Sequence, residues 1–153
     1  MALDLNKLVC FNFYTGWRAV TSIYKDVYGN DITPQNIFTL ELCELDKPLT
    51  IGELSSGLNL NNSAVSTLVS RMEKNGLLKR TFGSRDRRTV FVQLTEKGDE
   101  LRSQVREKMD QLHNAINEDL TQSDIENLQK IVTTLQKNSS KKTKDYSYSS
   151  LNS

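Results

Sequence analysis

Apolar positions at the start of the chain recur at helical spacing. Between residues 5 and 28, Leu5, Leu8, Val9, Phe13, Trp17, Val20, Ile23, Tyr24 and Val27 mark out a helix that Gly29-Asn30-Asp31 breaks. Thr33-Pro34 supplies an N-cap and a first-turn proline, so a second helix begins there, continues through Ile37, Leu40 and Leu45, and ends at Asp46-Lys47-Pro48. Thr50 with Glu53 three residues on is a capping box, each side chain satisfying the other's free backbone N–H. It opens a short helix over residues 50–57, stopped at Gly57. After the turn Leu58-Asn59-Leu60-Asn61, Asn61 or Asn62 caps another helix, which turns Val65, Leu68, Val69 and Met72 inward and ends at Asn75-Gly76.

Two short helices across a tight turn, the second presenting Ser63, Ser66, Thr67 and Arg71 outward, form a helix-turn-helix pattern. Residues 77–82 and 89–94 alternate as two strands, with Val90, Val92 and Leu94 on one face, and GSRDRR between them reads as a hairpin, or wing. Thr95 caps a long helix in which Leu101, Val105, Met109, Leu112, Ile116 and Leu120 step by four, four, three, four and four. Thr121 with Asp124 caps a last helix carrying Ile125, Leu128, Ile131, Val132 and Leu135. From Asn138 the chain is polar and rich in lysine and serine, the composition of a disordered tail. The expected fold is mostly α with a small β wing (α+β), a winged helix-turn-helix with N- and C-terminal dimerisation helices. The expected boundaries are 1–31 for the N-terminal dimerisation helix, 32–95 for the winged unit, 96–137 for the C-terminal dimerisation helices and 138–153 for the tail.

Composition narrows the class. Hydrophobic residues make up 37% and charged residues 25% of the 153, as in a globular domain with one core. No apolar run approaches the roughly 20 residues of a membrane span, and the N-terminus lacks the basic and apolar regions of a secretory signal. Two cysteines without close spacing argue against a disulfide framework or a zinc site. A cytoplasmic location is the resulting expectation. An enzyme fits poorly, because the chain has no phosphate-cradling glycine loop, no metal cluster, and a single histidine, His113, without an evident nucleophile; neither a metal nor a cofactor is expected.

Charge is distributed unevenly. Residues 71–88 carry seven basic side chains (Arg71, Lys74, Lys79, Arg80, Arg85, Arg87, Arg88) against two acids (Glu73, Asp86), a local +5 that leaves −4 for the rest of a chain whose net charge is +1. Such a stripe suits a polyanion, although a solvated face has the same composition. An arginine-tipped hairpin fits the minor groove of double-stranded DNA, where narrow A·T stretches concentrate negative potential. Ser63, Ser66 and Thr67 would meet base edges or phosphates in the major groove, and Arg71 and Lys74 would meet phosphates. One such unit reads few base pairs, which favours a homodimer on two half-sites. A module that bound protein instead would lack the steep salt dependence of phosphate neutralisation.

With TPQ at 33–35, ELSSGLNLNNSAVSTLVSRMEKNGLLKR at 53–80, DRR at 86–88 and LTEKG at 94–98, the sequence resembles the MarR family of bacterial transcription regulators over about residues 5–135. The resemblance implies a winged-helix homodimer that binds palindromic promoter operators, commonly as a repressor, and releases them when a small-molecule inducer or an oxidant acts. By the same resemblance Arg88 matches the wing arginine that enters the minor groove and Asp86 the aspartate that positions it, with Arg85 and Arg87 beside them.

The N-terminal stretch LVCFNFYTGWRAVTSIYKDVY is similar to the peroxide-sensing segment of the OhrR, SarZ and MgrA branch, with Cys10, Phe11, Tyr14 and Tyr24 on its pattern. In that reading Cys10 is the redox sensor and Tyr14 and Tyr24 its phenol partners. Phenol donors to sulfur favour the thiolate that attacks a peroxide, and the sulfenic acid product condenses with a second thiol. The sequence departs from the branch at Thr33, where a tyrosine is expected, unless Tyr28 replaces that donor; the run NNSAVSTLVSRM is closer to the general family. The alternative is release by an aromatic or phenolic ligand in a pocket lined by Tyr14, Trp17, Tyr24 and Phe38, with Cys10 structural. Aromatics at such spacing also serve simply as core. Cys43, among Leu40, Leu42 and Leu45 of the second helix, reads as core, and His113 as a packed or rim residue.

Overall fold

The computed structural model describes residues 3–83 and 88–140. After a 3-10 turn at Leu5–Lys7, the chain forms α1 (Val9–Tyr28), α2 (Pro34–Leu42), β1 (Leu49–Thr50), α3 (Ile51–Leu58), α4 (Asn62–Lys74), β2 (Leu78–Phe82), β3 (Val90–Leu94), α5 (Glu96–Glu107), α6 (Met109–Asn117) and α7 (Gln122–Ser140). By compactness it divides at residue 116, and α7 lies wholly in the second unit.

Short-range caps set most of the helix starts. Thr33 accepts from the Asn36 N–H and Asn36 accepts in return from the Thr33 N–H, with Pro34 in the first turn. Thr50 and Glu53 do the same at α3, at 3.2 and 2.7 Å, and the Asn61 side chain accepts from the Ala64 N–H at 2.8 Å to start α4. At the other end of α4, Gly76 adopts φ +75° while the Leu77 N–H reaches the Met72 carbonyl and the Gly76 N–H that of Glu73, a Schellman turn that reverses the chain into β2.

Three findings within residues 32–95 depart from the sequence reading. The sheet has a third strand: β1 pairs antiparallel with β3 (Leu49 opposite Val92), on the side away from β2. Two residues are too few to show alternation, so only the pairing makes them a strand. Gly57 does not stop α3; the helix runs to Leu58 and ends at Asn59, which takes the left-handed conformation at φ 52°. α2 ends at Leu42, leaving Cys43 just beyond it in extended conformation.

The long helix expected from Thr95 onward is two. At Lys108 the ladder slips, its N–H bonding to the Val105 carbonyl three residues back. The Tyr28 hydroxyl donates to that same carbonyl at 3.0 Å, and Lys108 Nζ donates to the Val27 carbonyl at 3.2 Å. The Tyr28 hydroxyl inserted at the Val105 carbonyl accounts for the break without glycine or proline. Leu120, the last expected position of that helix, is exposed and lies between α6 and α7. α7 reaches Ser140, three residues into the segment read as tail, and residues 141–153 lie outside the described residues.

Residues 3–116 hold two apolar clusters. One gathers Leu40, Cys43, Leu54, Val65, Leu68, Val69, Met72, Leu77, Leu78, Val92 and Leu94 beneath the helix-turn-helix and sheet. The other joins Tyr24 and Val27 of α1 to Ile37, Val105 and Leu112. Leu101 packs against both, which ties the winged unit to the end of α1. No helix of the described residues is long and apolar enough to cross a membrane.

Candidate nucleic-acid interface

The placement of α4 follows from its apolar stripe. Val65, Leu68, Val69 and Met72 are buried, which leaves Ser63, Thr67, Ser70, Arg71 and Lys74 exposed on the opposite face and Ser66 half-buried at its edge. The hydroxyls on this face are not equivalent. Thr67 donates to the Ser63 carbonyl at 3.1 Å and Ser70 to the Ser66 carbonyl at 2.9 Å, the bond to the preceding turn that these residues commonly make in helices. Thr67 therefore offers oxygen lone pairs and a methyl group outward, suitable partners for amino hydrogens and thymine methyls at base edges, whereas the Ser70 oxygen also accepts from Arg80. Arg71 and Lys74 lie in the last turn, where cations also complement the helix dipole irrespective of any ligand.

The hairpin β2–β3 follows directly. Its register runs from Leu78 opposite Leu94 to Phe82 opposite Val90, and the Gly83 N–H continues it to the Thr89 carbonyl at 3.0 Å. Arg88 stands at the base of the loop. Arg85, Asp86 and Arg87 lie outside the described residues. Lys79 is exposed, and Phe82 stands 66% exposed on the outer half of the hairpin.

Sequence reasoning counted Arg80 only as one more positive charge. Its guanidinium instead lies against α4, with Nη1 2.6 Å from Glu73 Oε2 and Nη2 donating to the Ser66 carbonyl and Ser70 Oγ, both at 2.9 Å. The one available signal was an acid and an arginine seven residues apart across a predicted reversal, a spacing that means nothing until the reversal is formed. Lys97 is likewise engaged, donating to the Asn75 carbonyl at the end of α4 at 2.9 Å.

The expected redox residues are placed separately. Cys10 is exposed in the first turn of α1, and Tyr14, one turn on, is exposed with its ring 6.5 Å from Phe11 and the Arg18 guanidinium 5.7 Å above it. Tyr24 is buried near the far end of the same helix, fourteen residues from Cys10, which is ~21 Å at 1.5 Å per residue. Within one chain its phenol does not reach the sulfur. Burial raises the Tyr24 hydroxyl above its ordinary pKa. Tyr28 is not the replacement donor, since its hydroxyl is committed to the Val105 carbonyl, and Thr33 caps α2. Cys43 is fully buried, and burial pushes its thiol up to about 11 against the opposing pull of Arg102, so it stays protonated at neutral pH.

Of the expected pocket residues, Tyr24 and Phe38 meet edge-to-face at 6.4 Å, and the Tyr28 ring lies 6.1 Å from Tyr24. Trp17 is 46% and Phe38 42% exposed. Beside them Arg106 grips Glu41 at 2.7 Å, a bond that raises the arginine's pKa further above its ordinary value. Among the described residues no group of His, Cys, Asp and Glu gathers to hold a metal ion.

The fold and residues have counterparts in known proteins. Residues 32–90 match the MarR family model. The regulator MgrA of Staphylococcus aureus is 27% identical over 131 residues, covering 84% of this chain and 88% of MgrA, and SarZ of Staphylococcus epidermidis is 28% identical over 134 residues, covering 84% and 89%. Among solved structures, PcaV of Streptomyces coelicolor in complex with its natural ligand superposes with a TM-score of 0.80 at 15% identity, over 90% of this chain and 97% of that one. A mutant MarR from E. coli complexed with operator DNA gives 0.72 at 19% identity, over 88% and 99%. These likenesses at low identity establish the architecture, and the family model places its match on the helix-turn-helix and hairpin. Residues 32–90 of this chain thus match the MarR family model and lie on the winged helix-turn-helix fold of these regulators.

Proposed function

We propose that this protein is a homodimeric, sequence-specific regulator that represses transcription from a palindromic operator and is released when Cys10 is oxidised. The observation that carries the DNA-binding part is the outward face of α4, where Ser63, Thr67, Arg71 and Lys74 are exposed beside a hairpin whose loop ends in Arg88. A convex helix flanked by a basic hairpin matches a major groove and the minor groove next to it. The E. coli MarR complex with operator DNA supports the same use of the fold. Ser66, Arg85, Asp86 and Arg87 complete the proposed interface.

The dimer reading rests on apolar surface left uncovered in one chain. Val9 and Trp17 on α1 and, separately, Leu128, Ile131 and Leu135 on α7 are each at least 39% exposed. Faces of this kind on amphipathic helices are covered by a second copy in a symmetric oligomer. The redox reading rests on the exposure of Cys10 together with the likeness to MgrA and SarZ. Since Tyr24 lies too far along the same helix, the second phenol partner of Cys10 would come from the second copy. The second reading, release by an aromatic or phenolic ligand, is favoured by the half-open Tyr24–Phe38 pair and by the PcaV complex with its natural ligand. Trp17 and Tyr14 would complete that site, and Cys10 would then be structural.

Fluorescence anisotropy with reduced protein and a duplex from upstream of its own gene separates the readings. Oxidative release predicts that an organic hydroperoxide abolishes binding by wild type and not by Cys10→Ser. Ligand release predicts that both proteins ignore peroxide and both let go with a phenolic acid. Arg88→Ala is expected to weaken binding by about tenfold or more, in line with about 1–3 kcal/mol for a groove-reading arginine; unchanged, salt-insensitive binding would overturn the DNA reading itself.

A further inference from the structure

Arg80 sits at the junction of the two elements that would touch DNA. Its side chain is 22% exposed and crosses from β2 to α4, where it meets three acceptors: the Glu73 carboxylate, the Ser66 carbonyl and Ser70 Oγ. Its backbone N–H adds a fourth bond, to Glu73 Oε1 at 3.3 Å. Ser70 in turn donates to the Ser66 carbonyl, so Arg80, Ser70 and the Ser66 carbonyl form a closed set with Glu73 beside them. A planar guanidinium holds several acceptors in fixed directions at once, which the point charge of a lysine does not.

We infer that Arg80 is a positioning residue that locks the wing strand to the recognition helix, so that α4 and the hairpin are presented as one rigid two-pronged reader. The inference deepens the DNA-binding reading and rests on it. Three consequences follow. Arg80 makes no phosphate contact, because Glu73 already neutralises it and its donors point at α4; the charge offered to DNA then comes from Arg71, Lys74, Lys79 and the wing arginines. Ser70, its hydrogen given to the Ser66 carbonyl and a lone pair given to Arg80, acts as a strut, which leaves base-edge reading to Ser63 and Thr67. The distance between helix and wing contacts also becomes a fixed property of the fold, since only the turn at Asn75–Leu77 otherwise links the two elements along the chain.

The test uses full-length protein carrying Arg80→Gln, and Arg80→Gln with Glu73→Gln to remove the carboxylate that the single change would leave facing DNA. In protein without DNA, amide hydrogen exchange at 78–82 and 90–94 is expected to quicken about tenfold in both variants with α1 and α5 unchanged. Unchanged exchange would overturn the clamp whether or not the protein binds any duplex. With a duplex that wild type binds, the double variant is expected to lose about tenfold in affinity while keeping the wild-type slope of log affinity against log salt; Lys74→Ala, which removes a phosphate contact, should lower that slope by about one. A slope reduced by about one in the Arg80 variants would place Arg80 on a phosphate and overturn the inference, as would full affinity despite faster exchange. Arg80→Lys, which keeps the charge but not the fork, is expected to fall between the two. Failure of wild type to bind any duplex in a salt-sensitive way would count against the DNA reading, while the exchange result would still decide the clamp.

Discussion

The winged unit and the terminal helices use the same kinds of apolar residue and end in different states. Leu54, Val65, Val69, Met72, Val92 and Leu94 are completely buried within one chain. α7, with an apolar stripe just as regular, buries no residue at all, and α1 is divided along its length: Tyr24 and Val27 are buried, while no residue from Val9 to Ala19 is. Periodicity reports that a helix has an apolar face but not what covers it. In the winged unit three helices and a sheet close around one point, so the core is finished locally. The first half of α1 and all of α7 project faces that a single chain leaves open, which is why their stability should depend on concentration and that of the winged unit should not.

That contrast is broken most severely at Gly98. A Cβ there would lie 2.1 Å from the Leu77 carbonyl oxygen, a backbone atom with no rotamer to change. Gly98→Ala is expected to cost about 3 kcal/mol or more, beyond the usual range for overpacking, and to lower the urea midpoint equally at all protein concentrations. Gly57→Ala is its control: the added Cβ would come 2.9 Å from Leu42 Cδ1, the end of a flexible, 37% exposed side chain, so a change within about 1 kcal/mol is expected. Equal effects at the two glycines would show that the junction between β3 and α5 is softer than its contacts imply.

A smaller effect, of opposite dependence, is expected on α7. Leu128→Glu with Ile131→Glu should together remove about 2 kcal/mol of apolar burial in a dimer. The midpoint of dissociation measured by sedimentation should rise by at least about thirtyfold, while unfolding of the winged unit keeps its midpoint. A variant that sediments as wild type would remove α7 from the proposed interface.

The smallest effect concerns the cap that starts the helix-turn-helix. Thr50→Ala should cost about 1 kcal/mol, detectable as a lower midpoint with an unchanged oligomer. Hydrogen bonds from the Thr50 N–H and hydroxyl hold the Glu53 carboxylate below its ordinary value of 4.5. A depressed carboxylate contributes stability above the unfolded value and loses it as pH falls through the folded one. The Thr50→Ala deficit should therefore shrink below about pH 4 in urea titrations; a deficit constant from pH 7 to pH 3 would mean that Glu53 takes no part in the cap.

Peroxide or ligand response is a different kind of property from these. Cys10, Phe11, Tyr14 and Tyr24 were legible as a set because their order along the chain carries the likeness, yet the folded chain leaves Cys10 and Tyr24 at opposite ends of one helix. Geometry within one protomer thus supplies the exposed thiol and withholds one of its expected partners. Tyr28 shows the converse, a phenol that the sequence left free for the sulfur and the fold commits to the Val105 carbonyl.

What the sequence determined by itself is what depends on residues three or four apart. Thr33 before Pro34, Thr50 with Glu53 and Thr121 with Asp124 satisfy backbone donors within a single turn, so these helix starts were readable as patterns, and the start of α4 was readable to within the choice of Asn61 or Asn62. The buried stripe of α4 and the two strands of the wing were readable for the same reason, since each is one period of one element. Tertiary structure decided everything whose partner lies far along the chain: β1, which is a strand only because Val92 and Phe91 pair with it; the break at Lys108, where Tyr28 enters from 77 residues before Val105; and the end of Arg80's reach on α4. Such bonds form between groups that folding brings together, and no local spacing in the sequence encodes them.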